Sequence, residues 1–315
     1  MTPLPEEPAG FPEQTVRDEQ SVRRDLTSLA PAEDRPAWLE VIIGVVFWLL
    51  SVAILAFVPV IVALPYVIYQ WVTVGPPTPE GITTDKPLIF LSILGILPAH
   101  VLTVALAWLF VTDGGRQKFF NALNFRWPSN ISPAVTTLLC SLLALVLLAI
   151  GWAVTTLWGG GKTQLDALVE SSMAARIATA LVASLTAPFA EEVVYRGVVY
   201  APLERAGGKA IAIPLVSLLF ASVHVLQYSN NVGVIIVITL LSFTLTFARA
   251  YTGSLVPPFI IHLVFNGIQS ILIILAPFID KNLFEKGQDV APTAPGLEVI
   301  GHLFQAISVH LWRMT

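Results

Sequence analysis

The feature that most constrains this chain is a series of long apolar runs without a single Asp, Glu, Lys or Arg. Three such runs cover residues 41–72, 87–112 and 131–158. A helix needs about 20 mostly apolar residues to cross the hydrocarbon of a bilayer, where lipid offers backbone N–H and C=O groups no partner. Each run therefore predicts a transmembrane helix.

The second half of the chain continues this pattern, but ionisable residues interrupt its apolar runs. Four further spanning helices are predicted over residues 172–203, 209–227, 232–249 and 254–279. The stretch 297–312 has the apolar spacing of an amphipathic helix, which we expect to lie at the membrane interface. The sequence thus predicts an all-α, polytopic transmembrane helical bundle of about seven spanning helices, followed by a C-terminal amphipathic or eighth helix.

Composition supports this fold class and excludes one group of partners. Hydrophobic residues make up 55% of the chain and charged residues 12%, whereas soluble domains average about 25% charged residues. The net charge of −4 leaves no concentrated basic surface for phosphate groups. We expect membrane lipids and a membrane-associated peptide or protein as partners, and no nucleic acid.

The Lys and Arg residues of the short loops predict how the bundle is oriented. Most of them fall on one side of the predicted membrane, namely Arg17, Arg23, Arg24, Arg35, Arg116, Lys118, Arg126, Arg205, Lys209 and Arg249. The opposite loops hold little beyond Lys86 and Lys162. The positive-inside rule therefore predicts a multi-pass cell-membrane protein with a cytoplasmic N-terminus.

One cluster of charged residues lies inside the fourth predicted helix. A charge within the bilayer costs about 2.5–3.5 kcal/mol on insertion scales, so it needs a partner or a function. Glu192 and Arg196 stand four residues apart, hence on one helical face, and can pair. Glu191 points about 100° away and stays free to act as a base or to bind a metal. Taken alone, the cluster also fits a structural ion pair between helices.

Two further polar clusters lie on other predicted helices. With a rise of 1.5 Å per residue, Glu191, His224 and His262 are about 21, 22 and 14 Å from the cytoplasmic ends of their helices. We therefore expect them, with Asn266, to converge in one cavity near mid-bilayer that is reached from the cytoplasm. A lone intramembrane histidine such as His100 is more simply interpreted as a hydrogen-bonded structural group.

Carboxylates, imidazoles and an amide in one desolvated place suit the hydrolysis of an amide bond. A buried Glu191 can take a proton from water beside an imidazole, while His262 and Asn266 can donate to the developing oxyanion. Alternatively, Glu191, His224 and His262 can hold Zn²⁺ or another divalent metal that activates its own water. The residues leave both mechanisms open.

Together the three motifs resemble those of the CPBP family, which includes CAAX prenyl endopeptidases and bacteriocin-processing enzymes and is also called Abi. The motifs are Glu-Glu-x-x-x-Arg at 191–196, Phe-x-x-x-His at 220–224 and His-x-x-x-Asn at 262–266. The resemblance implies an intramembrane endopeptidase, and it does not select between a metalloprotease and a metal-free mechanism. It also implies that Glu191 activates water with His224, while His262 and Asn266 stabilise the tetrahedral intermediate.

These patterns divide the chain into four predicted regions. Residues 1–37 form a disordered, acidic and proline-rich cytoplasmic tail, and residues 38–165 carry the N-terminal transmembrane helices. Residues 166–280 form the catalytic helical core that resembles the family, and residues 281–315 are a tail with the amphipathic helix.

Two other functions remain open from the residues. A noncatalytic membrane adaptor or scaffold would use the buried polar groups only to join helices. A proton-coupled transporter would also need buried carboxylates and histidines. The chain has no evident inverted repeat or pair of broken helices, which disfavours the transporter.

Overall fold

The bundle predicted from the sequence is confirmed. The computed structural model describes residues 36–225 and 227–278, and within these ranges all regular structure is helical, with no β-strand. Six of the described helices are long and apolar enough to cross a membrane, namely Ala37–Thr73, Lys86–Val111, Pro133–Trp158, Met173–Val225, Val232–Thr252 and Val256–Phe278. The predicted tail 1–37, apart from its last two residues, and the amphipathic helix 297–312 lie outside the described residues.

We number the helices in chain order. The first six are α1 Ala37–Thr73, α2 Pro79–Thr84, α3 Lys86–Val111, α4 Phe119–Ala122, α5 Pro133–Trp158 and α6 Gln164–Ser171. The following segments are α7 Met173–Leu181, a π-helical turn Val182–Thr186, α8 Ala187–Glu192, a π-helical turn Val193–Val199 and α9 Tyr200–Val225. The last described elements are α10 Val232–Thr252, α11 Val256–Leu275 and a 3₁₀ turn Ala276–Phe278.

The continuous helical segment from α7 to α9 is folded back on itself at Gly208. This residue has φ +70° and ψ 176°, a backbone conformation that is essentially restricted to glycine. Tyr195 and Phe220, on either side of the bend, pack edge to face with ring centroids 5.0 Å apart. The two arms therefore run antiparallel. The sequence predicts these arms as two separate helices, which is why it gives about seven spans where the described residues form six long helical segments.

The first helix is longer than the membrane is thick. Its 37 residues correspond to about 55 Å, against a hydrocarbon core of about 30 Å. The helix continues through Pro59 and Pro65. It packs closely on α3, because a Cβ at Gly95 would lie 2.6 Å from the Cα of Pro59, as is common where small residues let membrane helices approach.

The loops define two ends of the bundle. At one end, Leu255 N–H donates to Asn124 O (3.1 Å), and Asn124 and Gly253 line a small polar pocket together with Lys209. We call it the Gly208 end. At the other end, Gln164 N–H donates to Gln227 O (3.2 Å), and we call it the α6 end.

Candidate active site

A buried ionic centre joins α8, the second π-helical turn and α11. Arg196 Nη1 donates to Glu192 Oε1 at 3.0 Å, and both side chains are fully buried. His262 Nδ1 lies 2.9 Å from the same oxygen. A carboxylate oxygen only accepts hydrogen bonds, so the Nδ1 of His262 carries the donated hydrogen. Glu192 thereby fixes the orientation of the His262 ring.

Three further donors of Arg196 bind to α10, a helix for which the sequence predicts no site residue. Its Nη2 donates to the carbonyl and the hydroxyl of Ser242, at 2.9 and 2.7 Å. Its Nε donates to Thr246 Oγ1 at 3.2 Å, and its guanidinium lies 4.9 Å over the Phe220 ring. The spacing of Ser242 and Thr246, four residues apart in an apolar helix, was a signal that could have identified them.

The two adjacent glutamates face different surroundings. The side chain of Glu192 is fully buried, whereas that of Glu191 is 23% exposed and lies with Oε2 at 3.7 Å from His262 Nε2. Glu191 lines the central cavity, and neither Glu192 nor Arg196 is among the residues that line it. Glu191 can therefore meet a substrate directly, while Glu192 and Arg196 act from behind the cavity wall.

His224 is held by its own helix and by a neighbouring ring. Its Nδ1 lies 2.9 Å from the carbonyl oxygen of Phe220, which can only accept, so Nδ1 donates and Nε2 is left as an acceptor. The His224 ring stacks on Phe220 with centroids 4.7 Å apart, and the ring of His262 meets Phe220 edge to face at 5.9 Å. Phe220 thus separates the two imidazoles and positions both.

Asn266 compensates for a carbonyl that the first π-helical turn leaves without a backbone partner. Ala187 N–H donates to Val182 O, one residue further back than in an α-helix. In that register the partner of Ala183 O would be the nitrogen of Pro188, which has no hydrogen. Asn266 Nδ2 donates to Ala183 O instead, at 3.0 Å. Its second N–H is left for another acceptor.

The predicted site residues that can reach a substrate lie in one cavity. The cavity has a volume of about 620 Å³ and is lined by Glu191, His224, His262 and Asn266. His100 lines it too, and its Nδ1 lies 2.9 Å from Thr186 Oγ1 in the first π-helical turn. The sequence predicts a structural, hydrogen-bonded role for His100, and this hydrogen bond agrees with that interpretation.

The cavity extends toward the α6 end. Leu165 and Leu168 of α6 line it, and so do Gln227 and Tyr228 of the following loop. Burial raises the pKa of Tyr228. Burial also raises the pKa of Asp166, against two hydrogen bonds from Thr163, so the first turn of α6 is partly withdrawn from solvent.

The structure does not gather a ready set of metal ligands. Among the residues that it describes, no three His, Cys, Asp or Glu side chains are grouped closely enough to hold one ion. In this arrangement His262 Nδ1 is engaged by Glu192 and His224 Nδ1 by a carbonyl. The metal set Glu191, His224 and His262 stays a prediction.

The fold and the site define a class: a multi-pass membrane protein whose spanning helices enclose carboxylate, imidazole and amide groups in one cavity. A family model described as Type II CAAX prenyl endopeptidase Rce1-like matches residues 173–268. This range contains all three motifs, so the predicted resemblance is confirmed. The match also supports the prediction that the protein is a protease. No curated protein and no solved structure matches the chain.

Proposed function

We propose that this protein is an intramembrane endopeptidase that hydrolyses a peptide bond of a membrane-associated substrate, of the prenylated CAAX type or the bacteriocin-like type. One observation carries the proposal. Glu191, His224, His262 and Asn266, from separate segments of the chain, line a single cavity inside an apolar bundle. Packing alone has little use for so many polar groups facing a shared space.

In the first step Glu191 acts as the general base. Its carboxylate takes a proton from a water molecule while the water oxygen bonds to the carbonyl carbon of the scissile peptide. The Nε2 of His224, which is free to accept a hydrogen bond, orients this water. Such proton transfer is worth about 10²- to 10⁴-fold in rate.

His262 and Asn266 face the charge that develops on the carbonyl oxygen. Because Nδ1 of His262 donates to Glu192, donation from Nε2 to this oxygen requires a hydrogen on both ring nitrogens. The second N–H of Asn266 is the other donor. Fixed donors of this kind contribute about 10²- to 10³-fold each. The proton on Glu191 then passes to the leaving nitrogen as the C–N bond breaks, which yields a free carboxyl group and an amine.

We propose that the N-terminal end of α1, and with it the Gly208 end, faces the cytoplasm. The distribution of Lys and Arg described above supports this orientation. A divalent metal held by Glu191, His224 and His262, if bound, would supply Lewis-acid activation of the water.

The function is tested by replacing Glu191 with glutamine, which keeps the shape of the side chain and removes its basicity. The purified protein in proteoliposomes is assayed with a farnesylated CAAX peptide and with a membrane peptide library. We expect Glu191→Gln to lower turnover by at least about 100-fold.

The matched control is Glu80→Gln, which changes an exposed glutamate of the short helix α2. It should cleave at the wild-type rate. Wild-type turnover by Glu191→Gln would refute the role of Glu191, and cleavage by neither the variant nor the wild type would favour the adaptor function.

A further inference from the structure

We infer that the cavity receives its substrate from the α6 end of the bundle, which the loop charges place outside the cytoplasm. The substrate class is then a membrane-anchored chain whose cleavage segment lies at the non-cytoplasmic face. The inference rests on the proposed endopeptidase function for its substrate, but the side of access is a property of the cavity alone.

His262 lies at the floor of the cavity, and Glu191, His224 and Asn266 lie one helical turn further toward the α6 end. On each long helix that lines the cavity, the lining residue nearest to the Gly208 end is Ser51 on α1, Thr103 on α3, Tyr195 before α9, Phe220 on α9, Leu241 on α10 and His262 on α11. Every other lining residue is further toward the α6 end along its helix. The cavity therefore has its closed side toward the Gly208 end.

Tight apolar packing continues from this floor to the Gly208 end. The side chains there are buried and form one cluster, which includes Val198, Val199, Leu203, Ile213, Val216, Ala250 and Leu255. Protein interiors of this kind are packed as densely as organic crystals. A peptide cannot pass through this layer without unfolding it, so access from the Gly208 end is blocked.

The opposite side of the cavity has a thin and exposed boundary. The short helix α6 lies across it, between Gly159, Gly160 and Gly161 on one side and the extended residue Ser172 on the other. On α1, Leu55 lines the cavity and is 41% exposed. An exposed apolar residue in the lining suits lateral entry of a chain from lipid.

The charges of the two ends differ in sign. In the described ranges the Gly208 end carries Arg116, Lys118, Arg126, Arg205, Lys209 and Arg249, against the acidic residues Glu40, Asp113 and Glu204. The α6 end carries Lys86, Lys162 and Arg176, against Glu80, Asp85, Asp166 and Glu170. Lys and Arg in short loops are retained in the cytoplasm, so the cavity faces the other compartment.

This inference differs from one expectation from the sequence, which predicts both a cytoplasmic N-terminus and a site reached from the cytoplasm. If the cavity opens only toward the α6 end, the two cannot both hold. The number of residues from a helix end gives the depth of a side chain. It does not tell on which side of that side chain the helices pack and on which side they separate.

The inference is tested by cysteine accessibility in the full-length protein, in a Cys140→Ala background. Gly161→Cys marks the α6 end, Arg205→Cys marks the Gly208 end, and Val223→Cys and Gln269→Cys report on the cavity. Each variant is treated with a membrane-impermeant methanethiosulfonate in right-side-out and in inside-out vesicles. Two cavity positions are used so that one poorly folded variant does not decide the result.

We expect Gly161→Cys and both cavity cysteines to react at least about tenfold faster in right-side-out vesicles, and Arg205→Cys to react faster in inside-out vesicles. Reaction of the cavity cysteines from the same side as Arg205→Cys would overturn the inference, and so would their failure to react from either side. Reaction of Gly161→Cys in inside-out vesicles would overturn the assigned compartment. None of these results depends on cleavage. Failure of the proposed function would be detected separately, in the cleavage assay of Glu191→Gln.

Discussion

Two adjacent glutamates have the same side chain but different surroundings in this protein. Glu191 reaches the cavity, and Glu192 is fully buried between Arg196 and His262. A buried carboxylate without a cation would be costly, so Glu192 depends on Arg196. We therefore assign Glu192 and Arg196 a positioning role in the proposed reaction, acting through His262.

The first prediction concerns this buried pair. Arg196→Met removes the cation and leaves Glu192 uncompensated, which should lower the free energy of unfolding by about 3–5 kcal/mol. The control is Arg205→Ala, which breaks the pair with Glu40 at 2.7 Å on the surface and should cost no more than about 1 kcal/mol. Thermal unfolding in detergent measures both. Equal losses for the two variants would contradict the structural role of Arg196.

At the scale of elements, the site depends on helical irregularity around Pro188. Two π-helical turns, Val182–Thr186 and Val193–Val199, flank the short helix α8 that carries both glutamates. Such turns are rare and frequently found at functional sites. Each frees backbone groups from the regular ladder, and one of the freed carbonyls, Ala183 O, is satisfied by Asn266. Asn266 therefore has a structural role in addition to the role proposed for it in the reaction.

The second prediction separates these two roles of Asn266. Asn266→Ala leaves the partly buried Ala183 O without its protein donor, which should cost about 0.5–1.5 kcal/mol. Pro188→Ala returns a backbone N–H to the segment, which can serve this carbonyl. In the Pro188→Ala background, the stability cost of Asn266→Ala should therefore be smaller, whereas its effect on cleavage should persist. Fully additive stability losses in this double-mutant cycle would disprove the proposed compensation.

The third prediction concerns the bend between the two arms of the fourth span. Gly208→Ala places a side chain at φ +70° and ψ 176°, so it should cost about 1–3 kcal/mol even though no atom lies near the new methyl group. Gly161→Ala is the control, because Gly161 has open space and no positive φ. It should leave the melting temperature unchanged or slightly raised. The prediction fails if both alanines are tolerated equally.

At the scale of the whole molecule, the region matched by the family model does not form the site alone. Helices α1 and α3 supply the cavity wall that includes Leu55 and His100. Helix α5 packs against α10 and α11 in a second buried cluster, which includes Leu148, Leu245 and Phe265. The helices that precede residue 173 therefore support the site as well as anchoring it.

The fourth prediction tests the contact between α5 and α10. A Cβ at Gly233 would lie 2.9 Å from Trp158 O and 3.0 Å from Thr155 Cα. These backbone atoms cannot move alone, so Gly233→Ala should destabilise the protein by about 1–3 kcal/mol. Gly267→Ala, on α11 with nothing near the new atom, should instead stabilise it by about 0.5–1 kcal/mol through helix propensity. Changes of the same sign in both variants would contradict the close contact.

The sequence by itself determined the fold class and the composition of the site. The uncharged runs required helices because lipid cannot satisfy a polar backbone, and the spacing of four residues placed Glu192 beside Arg196. These conclusions needed only local geometry and the solvent. The resemblance of the three motifs then indicated the class of chemistry.

Only the tertiary structure decided which of these groups meet the cavity and from which side. The pairing of Arg196 with Ser242 and Thr246, and the bond from Asn266 to Ala183 O, join residues on different helices. The direction of the cavity depends on where helices pack and where they separate. These features arise from side chains that are distant in the chain, so the periodicity of a single helix cannot predict them.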